Sequence, residues 1–172
     1  MGIVFRPAAG ASDCHFIHDL IMSEVPNGHF DAQLLSPGAS AGLMLNIQKM
    51  VVEQRRFEPQ KREVPAHITM VDIYGETAGF GITTVLQIEE VRFNELWLAG
   101  VAARHRRRGA MTSLVGFYCA QLDLQGIRMA ARLLPASQGM RVVLASHGFE
   151  VLETLSSGHA FLVRNAKADQ RT

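Results

Sequence analysis

Three β-rich runs follow one another near the middle of this chain, at roughly 66–74, 77–87 and 92–102, and at Gly109 the apolar spacing changes from a strand period to a helical one. Beyond Gly109, the residues Met111, Leu114, Val115, Tyr118 and Leu122 form one stripe on a helix that Gly126 can end. Gly75-Glu76 joins the first two runs in a short turn suited to an antiparallel hairpin. The three runs are the centre of a sheet, and the helix must bury its stripe against that sheet.

The flanks extend the pattern. Ile3 to Arg6 reads as a first strand, and Ser12 stands where an N-cap belongs, ahead of a helix presenting Phe16, Ile17, Leu20 and Ile21. Leu43, Met44, Ile47, Met50 and Val51 predict a second helix over about 39–56. After the stripe helix a strand resumes near Arg128 and closes at Pro135, a short helix fits 137–146, and Phe149–Thr154 pairs with Ala160–Arg164. The order is β-α-α-β-β-β-α-β-α-β-β, an α/β (α+β) arrangement with a mixed, mostly antiparallel sheet flanked by helices. The 172 residues suit one domain, over 1–164, with a polar C-terminal tail at 165–172.

Composition narrows the partners. Hydrophobic residues make up 48% and charged residues 19%, so a core can form without disulfides or metal. The 17 basic and 16 acidic side chains give no global field for nucleic acid or a membrane surface. Cys14 and Cys119 lie far apart and outside any CxxC spacing, as expected of two buried free thiols in a reducing, cytoplasmic setting. No run approaches the ~18 apolar residues of a membrane span, and no leader pattern opens the chain. His15-x-x-His18 and His29 lack the carboxylates or cysteines that would complete a metal site, so none is expected.

The chemistry concentrates in Val101-Ala-Ala-Arg-His-Arg-Arg-Arg-Gly-Ala-Met-Thr112, where a strand end runs through a basic turn into a helix. Open N–H groups at a helix start bind phosphate, and Gly109 lets the main chain approach it closely. With the element order, this stretch resembles the GNAT superfamily of acyl-CoA-dependent N-acyltransferases over nearly the whole chain, from Phe5-Arg6-Pro7 to Val163. That superfamily's pyrophosphate loop reads [Q/R]-x-x-G-x-[G/A]; Arg106 and Gly109 match it, and Met111 departs from it.

The resemblance implies a GNAT-like fold, acetyl-CoA as co-substrate and acetyl transfer to a primary amine of a small molecule or protein. It assigns coenzyme contacts to Arg106, Arg107, Arg108, Gly109, Ala110, Met111 and Thr112, with Arg104, Arg107 or Arg108 reaching the adenosine 3′-phosphate. A bulged strand end at Ala99, Gly100 and Val101 would hold the pantetheine arm and polarise the acetyl carbonyl. Ser137 stands where many members carry a coenzyme-contacting asparagine.

Two residues are catalytic candidates. Glu95 lies 11 residues ahead of Arg106, the spacing of the general base in the superfamily's histone acetyltransferases, on a strand face shared with Trp97, Ala99 and Val101. The tyrosine that many members use to protonate the thiolate is replaced by Leu144, and His147 lies within about 60° of Leu144 around the helix axis. A histidine suits proton transfer and could substitute; capping of helix-end carbonyls beside Gly148 is its structural alternative. Met111 and Leu144 also admit a non-catalytic acyl-CoA-binding module, and Arg104–Arg108 a nucleic-acid binder, which the near-neutral charge disfavours. The apolar C-terminal hairpin can pair with a second copy, so a homodimer is admissible.

Overall fold

The computed structural model describes residues 2–58 and 62–167; residues 168–172 of the polar tail lie outside them. Eight strands form one sheet in the order β1-β3-β4-β5-β6-β8-β7, with β2 also paired to β3. The strands are β1 (Ile3–Pro7), β2 (Arg55–Phe57), β3 (Glu63–Ile73), β4 (Glu76–Ile88), β5 (Val91–Val101), β6 (Arg128–Leu133), β7 (Glu150–Thr154) and β8 (Ala160–Arg164). All pairs are antiparallel except β5 with β6. Helices α1 (Gly10–Glu24) and α2 (Pro37–Glu53) cover one face, and α3 (Ala110–Leu124) and α4 (Gln138–Ser146) the other.

Side-chain alternation explains the two layers. Along β3, Ala66, Ile68 and Met70 join the core under α1 and α2, whereas Val71 and Ile73 join the core under α3 and α4. On α1, Cys14, Ile17, Leu20 and Ile21 supply the buried face. Each fully buried aliphatic side chain of this kind contributes about 1.5–3 kcal/mol.

Several local boundaries differ from those read in the sequence. The first helix starts at Gly10 rather than after Ser12, because Asp13 reaches back and accepts from the Ala9 N–H at 2.8 Å, a cap made from within the first turn. The second helix begins at Pro37 behind Ser36, whose hydroxyl accepts from Ala39 N–H, and it ends at Glu53 with Gln54 in a left-handed cap. The β3–β4 turn is Tyr74-Gly75, both at positive φ as a type I′ turn requires, and Glu76 already belongs to the strand. Strand β2 is too short at three residues to announce itself by alternation.

One correction bears on the site. The irregularity in β5 falls at Trp97, because Ile82 pairs with Leu98 while Thr83 pairs with Leu96. The extra residue breaks the alternation expected along the strand. Leu96, Ala99 and Val101 pack with the α3 core, whereas Trp97 and Leu98 pack with the α1–α2 core. Glu95 therefore does not share a face with Ala99 and Val101, and no register break occurs at Ala99–Val101.

Candidate active site

Strands β5 and β6 pair in parallel only from Phe93–Leu96 to Arg128–Ala131, and past that point they separate. The gap opens into a cleft of about 1060 Å³, at the upper end of ordinary cofactor sites. Its walls include β5 from Glu95 to Val101, β6 from Ala131 onward, the loop before α3 and the start of α4. Beyond Leu96 the β6-facing edge of β5 has no strand partner among the described residues, so its main-chain groups face the cleft.

The loop between β5 and α3 is built to keep donors open. Gly109 takes φ 77° and Arg107 φ 60°, and the first helical bond runs from Ser113 N–H to the Gly109 carbonyl. Among the described residues no acceptor takes the N–H groups of Arg107, Arg108, Gly109, Ala110, Met111 or Thr112. That row of donors ends in the positive end of the α3 dipole. Of these residues Arg107, Gly109, Ala110, Met111 and Thr112 line the cleft. Met111 packs partly against the α3 core while one part of it faces the cleft, and Ala110 is buried.

The arginines divide by role. Arg106 holds the loop: its Nε donates to the Val101 carbonyl at 3.1 Å and its Nη2 lies 2.6 Å from Glu24 Oε1 at the end of α1. Burial pushes the Glu24 carboxyl up, but its bonds to Arg106 and Asn27 outweigh this and hold it below the ordinary range. Arg104 turns to His105 and Glu76, leaving Arg107 as the arginine of the run that lines the cleft with Arg106. Of Arg104 and Arg106, Arg106 is tied to the protein through Val101 and Glu24, whereas Arg104 stays largely exposed beside an exposed Glu76.

Glu95 reaches the other end of the cleft, where its carboxylate is 1% exposed and forms a two-point ion pair with Arg132. Nε of Arg132 donates to Oε1 at 2.6 Å and Nη2 to Oε2 at 3.1 Å. Arg56 stands beside this pair, its Nε donating to Thr84 Oγ1 at 3.1 Å and its guanidinium stacked 4.3 Å over Trp97. The Glu95 bond raises the Arg132 guanidinium against the opposing effect of burial, whereas burial lowers that of Arg56.

His147 does not reach the cleft. Leu144 is fully buried in the α3 core, and His147, close to it around the helix, follows it toward α3. Its Nε2 lies 2.9 Å from the Thr112 carbonyl. The face of α4 that does line the cleft carries Gly139, Met140 and Val143. Ser137 lines it too, with its Oγ 3.4 Å from His29 Nδ1. His29 also lies 3.9 Å from Glu24, so the connection after α1 places an imidazole on the cleft wall.

Sequence patterns alone do not single out His29, Arg56 or Arg132 as site residues. Arg132 had a signal, a lone charge in the apolar run Met129-Ala-Ala-Arg-Leu-Leu134. His29 and Arg56 had none, because only the fold brings residues so distant in the chain to β5. His15 bonds the Ala11 carbonyl and His18 bonds Ser40, and among the described residues no group of three or more His, Cys, Asp or Glu is placed to hold a metal.

No protein-family model matches the chain, and no curated protein sequence matches it. Solved structures share its fold. A GNAT superfamily phosphinothricin acetyltransferase from Sinorhizobium meliloti, in complex with AcCoA, aligns over 100% of this chain and 92% of its own at 16% identity, with a TM-score of 0.71. An acetyltransferase from Thermus thermophilus aligns over 96% and 97% at 15% identity, with a TM-score of 0.68. A ribosomal L7/L12 α-N-protein acetyltransferase in complex with coenzyme A aligns over 98% and 97% at 14% identity, with a TM-score of 0.66. The chain therefore has the fold of GNAT acetyltransferases.

Proposed function

We propose that this protein is an N-acetyltransferase that moves an acetyl group from acetyl-CoA directly to a primary amine of a small molecule or protein, with the domain spanning 1–164. The observation that carries this reading is the row of unbonded N–H groups from Arg107 to Thr112 at the mouth of the cleft between β5 and β6. Two similar folds hold AcCoA or coenzyme A in their crystals.

In this reading the pyrophosphate sits on the main-chain donors of Arg107 through Thr112, with Arg106, whose N–H is bonded to the Ala103 carbonyl, holding the loop; Arg107 serves the 3′-phosphate side, and Ser137 and the edge of Ala99–Val101 receive the pantetheine. The amine nitrogen attacks the thioester carbonyl carbon, the C–S bond breaks as the tetrahedral adduct collapses, and the amine loses one proton while the thiolate gains one. A strand-edge N–H aimed at the carbonyl oxygen would stabilise the charge that develops there.

Among the groups on the cleft wall that can accept the amine proton, which include Glu24, Asp31, Glu58, His105 and His159, we weigh Glu95, the base the family resemblance implies, against His29, which contacts Ser137. Both oxygens of Glu95 face Arg132, so we assign the proton to His29 and give Glu95 the task of holding Arg132. The thiolate leaves without His147, and a thiol with an ordinary pKa near 8.5 is an acceptable leaving group. Cys14 and Cys119 are buried free thiols, which fits direct transfer without a covalent enzyme intermediate and a reducing, cytoplasmic setting. Strand β7 ends the sheet with Val151 and Leu152 exposed, an edge on which a second copy can pair.

Calorimetric titration with acetyl-CoA tests the reading, run beside an Arg106→Ala/Gly109→Asp double variant. Micromolar binding by the parent that is lost in the folded variant supports it; absence of binding by folded parent overturns it. A second reading, a coenzyme-binding module without turnover, draws on the burial of Leu144 where the family carries its acid. It expects binding with no acetylation across a broad amine panel.

A further inference from the structure

We infer that Arg132 is a recognition site for a carboxylate on the acceptor, so that the substrate is an amine tethered to an anionic end by an apolar chain. This rests on the acetyl-transfer reading for what happens to the amine, but the anion site itself is argued from the geometry around Glu95.

A guanidinium offers two hydrogen-bonding edges, and each matches a carboxylate. Arg132 spends the Nε–Nη2 edge on Glu95, whose 1% exposed carboxylate fixes the fork from below. Its Nη1 makes no hydrogen bond among the described residues. The side chain is 58% exposed and lines the cleft, so the Nη1–Nη2 edge is presented to whatever enters. Fixing a long side chain in advance removes much of the entropy cost of gripping an anion.

Neighbouring charge favours the same sign of ligand. Arg56 lies in the same wall, and Glu58, the carboxylate nearest to it, is also held by Arg62. At this end of the cleft Arg56 and Arg132 face Glu58 and Glu95, and Arg62, outside the cleft, shares Glu58 and so weakens its claim on Arg56. Between this end and Ala99 the wall is apolar, formed by Trp97 and Leu98.

Length follows from the strand. Ala99 lies four positions after Glu95, about 13 Å at the usual rise, shortened by the bulge at Trp97. An extended chain of roughly six carbons with a carboxylate at one end spans that distance once the guanidinium–carboxylate contact is included, and the single carbon of an α-amino acid does not. The substrate class is thus an ω-amino acid or a group of that shape.

The test compares 6-aminohexanoate with hexylamine as acceptors, at a pH where both amines are partly neutral. For the parent protein, kcat/KM for 6-aminohexanoate exceeds that for hexylamine at least tenfold. Arg132→Gln reduces the ratio to within twofold, chiefly through KM, and Arg132→Lys, which keeps the charge but loses the fork, falls between. Calorimetric titration of 6-aminohexanoate into the protein with coenzyme A present reads the same site without turnover, and the folded state of each variant is checked by circular dichroism. Acetylation of both amines at equal efficiency, or a ratio unchanged in folded Arg132→Gln, overturns the anion site and leaves acetyl transfer standing. Binding of 6-aminohexanoate that depends on Arg132 without any acetylation supports the site and overturns the enzyme reading instead.

Discussion

The carboxylate of Glu95 and the guanidinium of Arg132 meet through two hydrogen bonds, 2.6 and 3.1 Å long, with the carboxylate sealed from solvent and the arginine open to the cleft. The pair is asymmetric in its exposure, and the asymmetry sets what each partner loses when the other is removed. An arginine without Glu95 can turn into water. A carboxylate without Arg132 stays buried, with Arg56 still close enough to feel its charge.

Arg132→Ala is therefore expected to cost about 1–3 kcal/mol, the penalty for leaving a buried polar group without its partner. Glu95→Gln is expected to cost under about 1 kcal/mol, since the exposed guanidinium recovers hydration. Urea denaturation of the two variants beside the parent reads the difference. Equal losses would mean that the carboxylate is hydrated and the pair behaves as an ordinary surface contact.

The two histidines near α4 separate by activity. His29→Gln removes the imidazole on the cleft wall and is expected to lower kcat about 10²–10⁴-fold, the usual contribution of a positioned base. His147→Ala loses the bond to the Thr112 carbonyl and about 1 kcal/mol of stability, with kcat held within a few-fold because the ring lies outside the cleft. A large fall in kcat for His147→Ala in folded protein would return the thiol-acid role to that residue.

Much of this fold was legible because its main elements keep clean periods. The three central strands, the α3 stripe and the C-terminal hairpin all stand close to where alternation and helical spacing put them. The bulge at Trp97 was not legible, since a single extra residue in an apolar run leaves no mark on composition, yet it decides which face Glu95 occupies. The basic turn was readable as a loop rich in open donors because glycine and helix start are local features. The pairing of Glu95 with Arg132, and of Arg106 with Glu24, joins residues 37 and 82 positions apart, and no local pattern encodes such contacts.

Acid sensitivity should trace in part to Asp123. Arg164, almost fully buried, places Nη1 2.8 Å from Oδ1 and Nη2 2.7 Å from Oδ2, and Lys167 N–H adds a bond at 2.9 Å. The Arg164 bonds hold the carboxyl below its ordinary value of 3.8 against the opposing push of burial. Because the folded value is depressed, the unfolded chain binds the proton first, and stability rises with pH through that interval. The contribution is complete above the ordinary value and is lost as pH falls through the folded one. Asp123→Asn is expected to be clearly less stable than the parent above about pH 5, with the gap narrowing as pH drops below 3.8. A gap that stays constant from neutral to acid pH would count against the pairing.

The loop between β5 and α3, the proposed coenzyme site, carries two residues at positive φ, and they should respond in opposite ways. Gly109 sits at 77° with nothing within 4 Å of an added Cβ, so Gly109→Ala meets backbone strain and no clash. The strain is about 1–2 kcal/mol for an L-residue there, and asparagine, which tolerates this region, should cost less. Arg107 already bears such strain at 60°. Arg107→Gly relieves it but adds about 0.4–1 kcal/mol of unfolded-chain entropy, so its stability should stay near that of the parent. Ligand affinity should show the reverse order of specificity. Gly109→Ala should weaken coenzyme A and 3′-dephospho-coenzyme A alike, because it disturbs the main-chain donors. Arg107→Gly should weaken coenzyme A alone, erasing the preference that a 3′-phosphate contact confers. Calorimetric titration of both nucleotides into both variants reads this, and a preference for coenzyme A that survives Arg107→Gly would move the 3′-phosphate to another cation.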